Sequence, residues 1–197
     1  MNFFRQHKIL ITAIVGTILL SISLLVDTIQ SISPSVHRAK QLIENRLQEE
    51  EKTANNILQL PELSNAEGNY IATDAIIKKY NKYSKIYFYA YKDDALTYWS
   101  NNSFIPENID KLSENDIHFL KEGNGYYEVL HSVSVNNHVD FYALIPVYYQ
   151  YPTSNKFLTN GFVWQHPFLK RFVISNKEAK KSTTIADSNG NYLFSIR

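Results

Sequence analysis

The side chains best suited to chemistry are aromatic. Tyr87, Tyr89 and Tyr91 alternate along one stretch, Tyr98 and Trp99 follow on the next, and Tyr142 and Tyr148 lie on a later one. Rings set this way on the sheet face turned from the neighbouring helix line the kind of apolar pocket that receives a small molecule. An indole with a nearby ammonium such as Lys92 holds an anionic or zwitterionic ligand. Lys92, Tyr98, Trp99, Tyr142 and Tyr148 are therefore the candidate ligand-binding residues. The competing reading is that the rings complete a core and reach water at their rims, since strands are rich in aromatics whatever their function.

Catalysis and metal binding find less support. The six histidines are His7, His37, His118, His131, His138 and His166, and no pair has HExxH or another close ligand spacing. His131 and His138 flank Asn136-Asn137 and are neighbours if that pair is a hairpin turn; as a metal pair they are the weaker reading beside surface histidines. There is no cysteine, which removes disulfides, thiolate ligands and a thiol nucleophile together. No GxSxG, SxxK or GxxxxGK[ST] occurs. Asp93-Asp94, and Asp187 with Asn189, read as turn residues before catalytic carboxylates. No catalytic residue, metal or cofactor is expected. Asn101-Asn102-Ser103 fits a glycosylation pattern that carries little weight alone.

The elements that must position these residues follow from periodicity. Ser33-Pro34-Ser35 breaks the chain and starts a helix. Val36, Ala39, Ile43, Leu47, Ala54, Ile57 and Leu58 then recur at three- and four-residue steps, predicting a long helix over 35–60 that Pro61 ends. Glu49, Glu50 and Glu51 read as its solvated face, although Glu50 falls in phase with Ile43 and Ile57. Asn65 to Asn69 reads as a loop, and Thr73 as the cap of a short helix carrying Ile76, Ile77, Tyr80 and Tyr83. KIYFYAYK alternates with period two, Asp93-Asp94 turns, and ALTYWS returns as a second strand. Pro106, and then Ser113 with Asp116, suggest short helices, the second carrying Ile117, Phe119 and Leu120 up to Gly123-Asn124-Gly125. Tyr126–Val135 and Val139–Tyr151 form a strand pair, with Pro146 demanding an edge or a bulge. Ser154 to Asn160 suggests one or two helical turns, and Phe162 to Lys170 has no clear periodicity. Arg171–Ser175 and TIADSNGNYLFSI read as strands closing the sheet around Asn189-Gly190. The expected fold is α+β, a long helix packed on roughly five to seven mostly antiparallel strands, the plan of PAS and Cache sensor domains.

Ile9 to Val26 contains no charged residue and no proline. At about 1.5 Å per residue it spans roughly 27 Å, close to the hydrocarbon thickness of a bilayer, and is expected to be a transmembrane helix. Arg5, His7 and Lys8 precede it, which puts residues 1–8 in the cytoplasm and the body over 61–197 outside, in the periplasm. A cleavable signal peptide is the alternative, with only a poor cleavage site in SLLVDTIQS. With 20 basic against 19 acidic residues, no broad field draws the chain to nucleic acid.

YFYAYKDDALTYWSNN, GNGYYEV, ALIPVYYQYPTSNKFLTNGF and TIADSNGNYLFSI, in that order, resemble the extracytoplasmic sensor region of membrane histidine kinases from bacterial two-component systems. The resemblance covers about Tyr87 to Ile196. It implies a signalling function, an inner-membrane location, a likeness to PAS/Cache domains, a homodimer, and a second membrane crossing and kinase core that lie outside these residues. A small molecule or an envelope protein would be the ligand. The alternative is a membrane-tethered binding or scaffold module without kinase output.

Overall fold

The computed structural model describes residues 16–17, 34–66, 68–102, 117–134, 139–175 and 182–197. The chain divides into two compact units, residues 1–39 and 40–197. The described part of the first is residues 16–17 and the opening turns of a helix, 34–39. The apolar stretch Ile9–Val26 lies almost wholly outside the described residues. Among those residues no helix is long and apolar enough to cross a membrane.

Helix α1, Pro34–Leu58, buries Ile43, Leu47, Ala54, Ile57 and Leu58 in the second unit, as their spacing predicts. Glu50 and Glu51 do not form a solvated face. They fall on the apolar stripe and are only 6% and 1% exposed, whereas the Glu49 side chain is 66% exposed. Burial is tolerated because each finds a polar partner: Arg46 lies 3.2 Å from Glu50, and the Ser188 amide donates to Glu51 at 3.2 Å. Pro61 ends one helix and starts another. It opens α2, Pro61–Asn65, where its missing N–H is not needed, so the expected loop begins only afterwards. Helix α3, Tyr70–Tyr80, is capped by Asn69, whose Oδ1 accepts from the Ala72 amide at 3.1 Å. Thr73 lies inside it, with its hydroxyl donating back to the Ala66 carbonyl.

Among the described residues the main sheet has six strands: β1 (Tyr87–Lys92), β2 (Ala95–Trp99), β3 (Ile117–Glu122), β4 (Gly125–Ser134), β5 (Val139–Tyr149) and β6 (Gly161–Phe162). Their order is β2-β1-β5-β4-β3, with β6 added to β5, and every pairing is antiparallel. Asp93 and Asp94, both at positive φ, make the first hairpin turn. The expected helix at Ile117–Leu120 is strand β3. Gly123-Asn124 does not stop a helix but turns β3 into β4, and the ladder with β4 overrides a helical spacing of only four residues. The helices suggested at Pro106 and Ser113, and the turn at Asn136-Asn137, lie outside the described residues. Ser154–Asn160 is not helical; the Asn155 side chain instead accepts from the Phe157 and Leu158 amides as a side-chain turn.

The C-terminal strands do not close the main sheet. They form a second sheet, β7-β9-β8, from Ile174–Ser175, Tyr192–Ile196 and Thr183–Ala186. Phe119 of β3 stacks on Phe194 of β9 at 4.6 Å and joins the two sheets. From α1, Lys40 donates to the Thr184 carbonyl, while Glu44 and Glu51 accept from the Ala186 and Ser188 amides.

Candidate functional site

Register places the expected ligand-binding residues on different sides of the main sheet. Tyr89 pairs with Trp99 on β2 and Tyr142 on β5, so these three share one face. There Tyr89, Tyr91, Tyr127, Val129, Tyr142 and Leu144 pack as a buried cluster, with Tyr87 and Trp99 against it. Tyr98 pairs with Ala90 and belongs to the opposite face, where its hydroxyl reaches Asp74 of α3 at 3.4 Å. Tyr148 is also on that opposite face. A bulge between Tyr126 and Tyr127 pairs Tyr127 with Pro146 but Tyr126 with Tyr148, which reverses the parity of β5 beyond Pro146. Pro146 is thus accommodated at a bulge in a central strand. Lys92 is an exposed residue at the end of β1. The five residues do not form one constellation, and the Trp99 indole already donates to Asn102 at 2.6 Å. His131 is held between Asp140, at 2.7 Å, and the Tyr142 ring, stacked at 4.5 Å. His138 lies outside the described residues, and no group of three potential ligands among the described residues could hold a metal.

A cavity of about 430 Å³ opens on the opposite side of the sheet from the buried tyrosine cluster. Leu42, Arg46 and Glu50 of α1 form one wall, Ile145 and Pro146 the floor, and the segment after β6 the other wall through Val163, Trp164, Gln165, His166 and Leu169. This segment is the one without periodicity in the sequence, and local bonds hold it. Val163 donates to the Val147 carbonyl, and Gln165, at a φ of 47°, donates to the Phe162 carbonyl. The His166 ring then caps a 3-10 helix, Pro167–Arg171, by accepting from the Phe168 amide through Nδ1 at 3.2 Å. That bond places the neutral ring's proton on Nε2. The Arg171 guanidinium lies over the Phe168 ring at 4.2 Å. Lys85, on the approach to β1, completes the rim. Behind it a second cleft of about 670 Å³ shares Lys85, Val163, Gln165, His166 and Leu169 with the first.

A second polar feature lies deeper. Glu128, in the middle of β4, is 0% exposed, and neither of its carboxyl oxygens makes a conventional hydrogen bond. What faces it is the carboxyl of Glu51 on α1, with Asp187 at the start of the β8–β9 turn adding further negative charge. Burial first, then Glu51 and Asp187, push the Glu128 pKa well above the usual carboxylate range. Asp187 itself accepts from the Asn189 and Asn191 amides and the Asn191 side chain. Sequence reading missed this cluster; its one signal was Glu50 falling in phase with the apolar stripe of α1.

No protein-family model, curated protein or solved structure matches the chain. The candidate site therefore rests on its own geometry: an apolar cleft between a long helix and a sheet, rimmed by an ammonium and an imidazole.

Proposed function

We propose that this chain is the sensory, ligand-recognising portion of a membrane histidine kinase receptor, a PAS/Cache-like domain carried outside the inner membrane by a transmembrane helix at Ile9–Val26 and working as a homodimer. The observation that carries this reading is the cavity with α1 as one wall. A ligand entering there touches the long helix and the sheet at once. If it prefers one packing of α1 against the sheet, it biases a two-state equilibrium by its difference in affinity for the two states. The α+β plan, a long helix on a mostly antiparallel sheet, supports the same reading. A membrane-tethered binding or scaffold module is the second reading, favoured by Ile71 and Tyr83, which are 80% and 88% exposed.

The test joins the coding sequence beyond Arg197 to a phosphorylation assay on membranes carrying the product. A second apolar span and a kinase core, with autophosphorylation altered by Leu42→Trp, which fills the cavity from α1, support the receptor. A stop codon directly after Arg197, or a kinase indifferent to the filled cavity, overturns it. A copurifying envelope protein with no kinase favours the scaffold.

A further inference from the structure

We infer that the cavity binds a monoanionic amphiphile, an aliphatic chain ending in a carboxylate, with the head at Lys85 and His166 and the chain along Leu42, Ile145, Val163 and Leu169. This rests on reading the cavity as a ligand site. The apolar part of the lining joins the aliphatic side chains of Leu42, Ile145, Val163 and Leu169 to the Tyr83 and Trp164 rings, and hydrocarbon transferred to it from water is stabilised in proportion to the area buried. About 430 Å³ is within the range that small-molecule sites occupy.

The polar groups assign the head. Of the two fixed cations, Arg46 is already engaged, 2.7 Å from Glu49 and 3.2 Å from Glu50. Lys85 has no ion pair among the described residues. His166 has its Nδ1 occupied by the Phe168 amide, which leaves Nε2–H as a donor. Lys85 and His166 line both the cavity and the cleft behind it, so they stand on the rim the two share. An ammonium and an N–H on one rim match the two oxygens of a carboxylate. Glu50 sets the charge and the direction. Its Oε1 is paired with Arg46, but its Oε2 is buried without a hydrogen-bond partner in the wall formed by α1, so a second anionic group on the ligand would meet a carboxylate whose single cation is already shared with Glu49. One negative charge, at the Lys85 end, is what the site accommodates.

The experiment uses the full chain in lipid nanodiscs with a tryptophan-free scaffold. The chain has two tryptophans, so Trp99→Phe leaves Trp164, which lines the cavity, as the sole reporter. Octanoate, octanol and octyltrimethylammonium are titrated at neutral pH. We expect saturable changes in Trp164 emission, with octanoate binding about tenfold to a hundredfold tighter than octanol, the span of one charge-assisted hydrogen bond. Lys85→Gln should bring octanoate down to the affinity that octanol has for the same variant, and Lys85→Arg should keep the preference. Octanol binding as well as octanoate, or octyltrimethylammonium binding best, overturns the assignment of the head while leaving the cavity a ligand site. No saturable binding by any of the three overturns the cavity reading itself.

Discussion

Glu128→Gln should make the protein more stable at neutral pH and flatten the dependence of its stability on pH. The wild-type carboxyl is 0% exposed and faces Glu51 and Asp187, so its pKa is raised in the folded state and ordinary, about 4.3, in the unfolded chain. The folded state therefore holds its proton more tightly. The stability this confers is fully present below the unfolded pKa and is lost as pH rises toward the folded one, at up to about 1.4 kcal/mol per pH unit. Raising the pH from 5 to 6 should thus remove up to ~1.4 kcal/mol through this residue alone, which for a chain of this size is about 3–6 °C in Tm. Glutamine keeps the shape, offers N–H donors to Glu51, and cannot ionise. Urea unfolding followed by circular dichroism, at pH 5, 6, 7 and 8, gives both curves. Wild type should lose stability with rising pH more steeply than the variant, and the curves should diverge in favour of the glutamine variant. Parallel curves would refute the argument, because they mean that Glu128 does not pass from protonated to ionised at a cost to the fold.

Three further outcomes follow from the packing. Glu51→Ala removes the acceptor of the Ser188 amide, so hydrogen exchange at Ser188 should accelerate while the amides of β5 stay protected. Asp187→Ala deletes three hydrogen bonds inside the β8–β9 turn and should destabilise the protein by about 1–3 kcal/mol, measured by the urea midpoint with unchanged m-value. Leu47→Ala opens a cavity at a fully buried position on α1 and should cost about 2–5 kcal/mol in the same experiment; a loss below about 1 kcal/mol would mean that α1 is not packed as described.

The long helix, the β1–β2 and β8–β9 hairpins and the β4–β5 pair were legible because each has a local cause. A three-and-four-residue apolar rhythm, an Asp-Asp or Asn-Gly turn and a run of alternating aromatics act within a few residues of one another. Strand β3 was not legible. IHFLKE fits a short helix as well as a strand, and the neighbour that decides, β4, pairs with it across Gly123-Asn124. The separate three-stranded sheet was hidden for a similar reason: turn chemistry shows that β8 and β9 form a hairpin but not which sheet they join.

The site divides in the same way. That aromatic residues of β1, β2 and β5 gather on a sheet follows from the order of residues alone, because alternation along a strand is a property of the backbone. Which of them meet depends on the assembled fold, since one bulge beside Pro146 turns Tyr148 away from Tyr142. The interior position of Glu51 has the same origin. Charge predicts exposure only until another donor takes water's place: for Glu50 that donor is Arg46, one turn back on the same helix, but for Glu51 it is Ser188, 137 residues away in the chain. The cavity beside α1 is wholly a product of such distant contacts. Its walls come from segments far apart in the chain, Leu42 and Leu169 among them, and no pattern within any one of them specifies the space between.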